Sequence, residues 1–114
     1  MANIYKNTKL DLTTATVTTL YTVPSNSRAI IKSLLVSDDS GSGSNLTVDL
    51  FNGDPSTADK FTLFQTKALT GDETLQFLTE PLIMTENEVL QVTAADANRL
   101  FVVASILEIN REDR

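Results

Sequence analysis

The chain has 114 residues, with 9 basic against 15 acidic side chains, no histidine, no cysteine and 41% hydrophobic content. That length suits one domain, and the apolar content is that of a globular chain rather than a disordered one. The missing residues exclude disulfides, thiolate chemistry, the usual zinc sites and every mechanism that needs imidazole as general base.

A nucleic-acid face needs clustered Lys and Arg to displace phosphate counterions. Here the nine cations are scattered from Lys6 to Arg114, with acids between them and a net charge of −6, so no nucleic-acid partner is expected. No apolar run reaches the roughly 18 to 20 residues of a membrane-spanning helix, so no membrane partner is expected either. The opening MANIYKNTKLDL lacks an unbroken apolar core followed by a small-residue cleavage site. Synthesis and folding in a cytoplasm are the expectation.

Taken in chain order, Ile4 to Leu10 reads as extended. Thr13 to Val23 (TTATVTTLYTV) is too rich in β-branched residues for a helix. Ala29 to Val36 reads as a strand, and Asn45 to Phe51 alternates Leu46, Val48 and Leu50 with Thr47, Asp49 and Phe51. Lys60 to Gln65, Glu73 to Leu78, Glu88 to Thr93 and Arg99 to Ile109 complete the set, with one short helical turn allowed at Ala94 to Asn98. Turn signals separate the runs every 8 to 12 residues or so: Pro24-Ser-Asn-Ser, Asp38 to Ser44, Asn52 to Asp59, Thr70-Gly-Asp and Thr85-Glu-Asn. Eight or nine strands without a real helix predict an all-β fold, a single antiparallel β-sandwich of jelly-roll-like or immunoglobulin-like arrangement. The expected division is 1–11 as an N-terminal arm or edge strand, 12–109 as the sandwich and 110–114 as a charged tail.

Two strands are apolar on both faces. In Ala29 to Val36, strict alternation puts Ile30, Leu34 and Val36 on one face and Ile31 and Leu35 on the other. In the last strand, Leu100, Val102, Ala104 and Ile106 oppose Phe101, Val103, Leu107 and Ile109. A sandwich strand needs only one apolar face. The second face must be covered by the arm or a loop of this chain, or by another subunit.

Constellations that could carry chemistry are weak. Asp38, Asp39 and the Ser-Gly loop behind them offer the oxygen ligands calcium favours, but the spacing is not that of an EF-hand, and a hairpin loop accounts for them. Gly41-Ser-Gly43 lacks the Lys and helix of a phosphate loop. Asn52-Gly-Asp54-Pro55 is a turn signature that could also belong to a binding loop. A carboxylate pair drawn from Asp72, Glu73, Glu80, Glu86 and Glu88 would need a cleft with aromatic platforms, and the chain has no Trp, two Tyr and five Phe. Neither an enzyme, a metal nor a cofactor is expected.

The stretch Leu20-Tyr-Thr-Val-Pro24, a polar turn and Arg28-Ala-Ile-Ile-Lys-Ser-Leu-Leu-Val-Ser37, followed by a Gly/Ser loop and Asn45-Leu-Thr-Val-Asp-Leu-Phe51, resembles small β-sandwich virion proteins of tailed bacteriophages. The resemblance covers residues 12 to 51, and the rest only as a succession of strands. It implies a virion structural component, foremost a capsid decoration (cement) protein that binds the outer surface of the major capsid protein lattice. Its expected state is a homotrimer on the capsid exterior, made in the host cytoplasm. A tail, neck or tail-fibre module is the alternative, and a host-surface or carbohydrate-binding module the third. The candidate interface residues are Ile4, Tyr5, Asp38, Asp39, Asn52, Asp54, Phe101, Val103 and Leu107. An extended arm at residues 2 to 9 could reach roughly 25 Å onto a neighbour, and deleting residues 1–9 is expected to weaken assembly while leaving the sandwich folded.

Overall fold

The computed structural model describes residues 2–110; the charged run 111–114 lies outside the described residues, as do its two arginines. The chain forms nine strands and no helix among the described residues. They are β1 (Ala2–Leu12), β2 (Thr18–Thr22), β3 (Ser27–Asp38), β4 (Ser44–Phe51), β5 (Lys60–Leu69), β6 (Thr74–Gln76), β7 (Leu82–Met84), β8 (Val89–Ala94) and β9 (Leu100–Asn110).

One sheet runs β1-β9-β3-β6, with β7 also on β3, and the other runs β2-β8-β4-β5; every pairing is antiparallel. The pairing follows from folding one long ribbon in half. β4 and β5 meet at the 52–59 turn, β3 pairs with β6 and β7, β2 with β8 and β1 with β9. Rolling that ribbon sends successive arms to alternate sheets, which is the jelly roll rather than the immunoglobulin order.

The core lies between the sheets. Leu12, Ile31, Leu34, Leu46, Met84, Leu90 and Leu100 are among its largest fully buried side chains. Alternation explains most of them, as in β9, where Leu100, Val102, Ala104 and Ile106 face inward.

Four expectations need correction. In β3 the pairing with β9 shifts register between Ile31 and Ser33, leaving Lys32 as the extra residue of a β-bulge. The bulge reverses the alternation, so Ala29 and Ile31 join Leu34 and Val36 in the core, while Ile30 and Leu35 face outward. The run Thr13 to Val23 is a strand only over Thr18–Thr22, because residues 13–17 carry the chain from one sheet to the other. Ala94 to Asn98 is a turn rather than helical, with Asn98 at φ 61 and its N–H donating to the Leu12 carbonyl at 2.9 Å.

The fourth concerns the deletion of residues 1–9: of the two forms expected for 1–11, arm or edge strand, the segment takes the edge strand, pairing with β9 of its own chain from Ala2↔Asn110 to Leu12↔Leu100 without a register shift. It is therefore part of the sandwich, and its removal would strip β9 of a neighbour as well as affecting assembly. β7 carries no expectation from the sequence. Pro81, which cannot donate a backbone hydrogen bond, breaks the strand that β6 begins.

Candidate functional site

The outward side of the β1-β9-β3-β7 sheet is built row by row from the registers. Tyr5 stands opposite Leu107, Leu107 opposite Ile30, and Ile30 opposite Ile83. This row crosses the whole sheet, and its two ends are the most open, with Tyr5 74% and Ile83 66% exposed. Ile109 adjoins it on β9. A second apolar group, Phe101, Val103 and Leu35, lies further along the same face. Between them runs a polar row of Asn7, Ser105 and Ser33. A shallow groove lined by Lys9, Leu10, Asp11, Phe101, Val102 and Val103 follows the β1–β9 boundary.

Of the candidate residues, Tyr5, Phe101, Val103 and Leu107 are thus brought together on one face. Ile4 sits beside Tyr5 but points to the core side, at the end of the sandwich, and stays 46% exposed. The four polar candidates are not brought to this face and are divided between the two ends of a molecule 48 Å long.

At one end, the Asp38 carboxylate accepts from the Ser40 N–H and hydroxyl, both at 2.7 Å. The Ser40 hydroxyl and the backbone N–H groups of the same loop hold the Asp38 carboxyl below the ordinary carboxylate range. Asp39 is exposed in that loop. Glycines here serve close approach: a Cβ on Gly43 of this loop would come 2.7 Å from the Leu69 carbonyl, and one on Gly71, in the 70–73 turn beside it, would come 2.2 Å from that of Gly41.

At the other end, Asn52 Oδ1 accepts from the Asp59 N–H at 3.1 Å and closes the 52–59 turn. Asp54 Oδ1 accepts from the Ser56 N–H at 3.0 Å and hydroxyl at 2.9 Å, which lowers its pKa. These polar groups are committed to their own loops. So are two of the acids weighed as a catalytic pair: Glu73 accepts from the Thr70 N–H at 2.9 Å, and Glu88 from the Thr85 N–H at 2.8 Å. Among the described residues, no group of three or more His, Cys, Asp or Glu could hold a metal ion.

Ile30, Leu35 and Ile83 escaped the sequence reading of this face. The bulge at Lys32 hid the first two. Ile83 gave no alternating signal, because Leu82, Ile83 and Met84 are all apolar, and its outward place follows from pairing with Ile30.

One polar cluster is buried behind β1. The Tyr21 hydroxyl donates to Glu108 Oε2, and Lys6 Nζ lies 3.3 Å from the same oxygen and 5.5 Å above the Tyr21 ring. Burial first, then the Glu108 carboxylate, pushes the Tyr21 hydroxyl pKa well above its ordinary value of 10.0. The exposed aromatics do not form a platform: Tyr5 lies on β1 and Phe61 on β5, edge strands of different sheets.

The chain matches no protein-family model and no curated protein. Among solved structures, it is similar to a chain from the acid-stable capsid of Helicobacter pylori bacteriophage KHP30, with a TM-score of 0.54 and 13% identity over 96% of this chain and 89% of that one. It is similar to a chain from the disulfide-linked pili of Bacillus endospore appendages, with a TM-score of 0.54 and 12% identity over 95% and 88%. A chain of the T13 particle of infectious bursal disease virus gives a TM-score of 0.56 and 13% identity over 94% of this chain, which spans only 30% of that larger one. At these identities the likeness is one of fold, a β-sandwich shared with subunits of shells and filaments.

Proposed function

We propose that this chain is a virion structural protein, foremost a decoration protein that binds the outside of a major capsid protein shell through the outward face of its β1-β9-β3-β7 sheet. The observation that carries this reading is that face itself, an apolar row from Tyr5 to Ile83 with Val103, Leu35 and Phe101 beyond it. Contiguous apolar surface of this kind marks a protein contact more often than a solvated wall. Each Å² of it removed from water contributes about 25 cal/mol before association costs. Repeated around a shell, a modest footprint resists the pressure of packaged DNA. The net charge of −6 suits the outside of such a shell better than its DNA-lined interior.

The fold shared with two capsid chains supports this reading, and the likeness to a pilus chain agrees with an assembling subunit. Disulfide linkage of the pilus kind is not open to a chain without cysteine. Tail or neck placement is the competing position.

Immunogold labelling separates these readings, using antibody to this chain on particles produced from the genome that encodes it. Label spread over the head supports decoration, label at the tail or neck moves the chain there, and unlabelled particles end the virion reading.

A further inference from the structure

We propose that β1 pairs with β1 of a second copy of this chain, antiparallel and about a two-fold axis normal to the sheet, with Asn7 opposite Asn7. The pair is a property of the sheet edge. It stands if the chain proves to belong to some other assembly, and it replaces the trimer expected from the sequence.

An exposed strand edge presents unpaired N–H and C=O groups, and folded proteins blunt such edges with short strands, bulges or proline. The other edges of this sandwich carry those devices. β2 has five residues and a register shift between Thr19 and Tyr21. β5 shifts register twice against β4 and holds Thr66 at φ 47. β6 and β7 have three residues each, with Pro81 between them.

β1 is neither short, bulged nor interrupted by proline, and its exposed Lys9 is met by an aromatic ring in the Asn7-centred pair. It runs for 11 residues, contains no proline and pairs with β9 without a shift. An inward-pointing lysine is another protective device, but the Lys6 ammonium is already engaged by Glu108 at 3.3 Å. Because the remaining edges are short or kinked, a head-to-tail contact has no second edge to use. A self-complementary contact is what remains.

Charge and size choose the register. Centring the pair on Lys6 or Lys9 would set like charges directly opposite each other, which destabilises. Centring it on Thr8 would set Ile4 against Leu12, which is only 2% exposed and already spent in the core. Centring it on Asn7 sets the exposed Ile4 against the half-buried Leu10, Tyr5 against Lys9 and Asn3 against Asp11. Lys9 then lies over an aromatic ring, a favourable contact. Each apolar row then continues, across Lys9 of the second copy, into that copy's Val103 and Leu35 on the same outward side.

The cysteine-free chain makes the test direct. Directly opposed Cβ atoms in an antiparallel pair are about 4.5–5.5 Å apart, close to disulfide reach. The full chain is weighed by light scattering over a range of concentrations. Asn7→Cys is oxidised with copper phenanthroline beside Thr22→Cys, an exposed position on β2. The proposal expects twice the 12.4 kDa chain mass and much faster crosslinking at position 7 than at 22. It also expects Asn7→Lys to weaken the dimer about tenfold or more by like-charge opposition, with an unchanged circular dichroism spectrum.

A monomer at every concentration, a trimer or larger ring, or a dimer that crosslinks no faster at 7 than at 22 would overturn it. None of these outcomes bears on the gold labelling of particles, so the two readings fail separately.

Discussion

The two sheets of this sandwich share a core but turn opposite kinds of surface outward. Across β2-β8-β4-β5, one outward row reads Thr19, Gln91, Asp49 and Thr62. Its members satisfy one another: Gln91 donates to the Thr19 hydroxyl at 3.1 Å, and the Thr62 hydroxyl donates to Asp49 at 2.7 Å. Across β1-β9-β3-β7, the comparable row is Tyr5, Leu107, Ile30 and Ile83. A wall built only to face water would look like the first on both sides. The difference teaches that the molecule is sided: one sheet turns a self-satisfied polar row outward, and the other an apolar row that is open at both ends.

The sharpest way to break this contrast uses neighbouring residues of β9. Val102 is fully buried and Val103 faces outward. Val102→Asp places an unpaired carboxylate in the core and is expected to cost several kcal/mol, about the whole stability of a small domain. Val103→Asp should stay folded, within about 1 kcal/mol of the parent in chemical denaturation, yet lose the shell binding proposed for this face. Equal damage from both would mean that β9 has no free face.

Deleting residues 1–9 comes next. It strips β9 of most of its β1 partner and removes Lys6 and Thr8 from over the Tyr21–Glu108 pair and Leu20, so the melting temperature should fall sharply and the protein aggregate. A truncated chain with the parent's melting temperature would return β1 to the status of a detachable arm.

Tyr21→Phe, behind the same strand, removes a donor from the buried Glu108 carboxylate and should cost about 1–3 kcal/mol. It also has a pH signature. The folded Tyr21 holds its proton above the value of 10.0 at which the unfolded chain releases it, so stability present below pH 10 is lost as pH rises beyond it. Denaturation followed from pH 8 to 11 should show a steeper decline for the parent than for Tyr21→Phe.

The smallest effect belongs to the loop acids. Asp38 and Asp54 have carboxyls lowered by hydrogen bonds from Ser40 and Ser56. Their contribution is present above the ordinary carboxyl range and lost as pH falls through their lowered values. Asp54→Ala should slightly flatten the acid limb of the stability profile and leave shell binding unchanged, because its loop lies away from the apolar face.

Much of this was legible in the residues themselves. Alternation, β-branched runs and turn signals are local, and they identified most of the strands, the absence of long helices and the two-faced character of β9. The sequence also showed that β3 carries more apolar residues than one face can hold.

The tertiary structure decided what local patterns cannot contain. The bulge at Lys32 exists only against β9, about 70 residues away in the chain, and it sends Ile30 outward and Ile31 inward. Ile83 joins the face because three residues after Pro81 find a place on β3. Whether residues 2–12 form a loose arm or a paired edge depends on Leu100–Asn110 being there to receive them. A strand's period of two says that it has two faces; which face is core, and which edge is open, is set by the partners it meets.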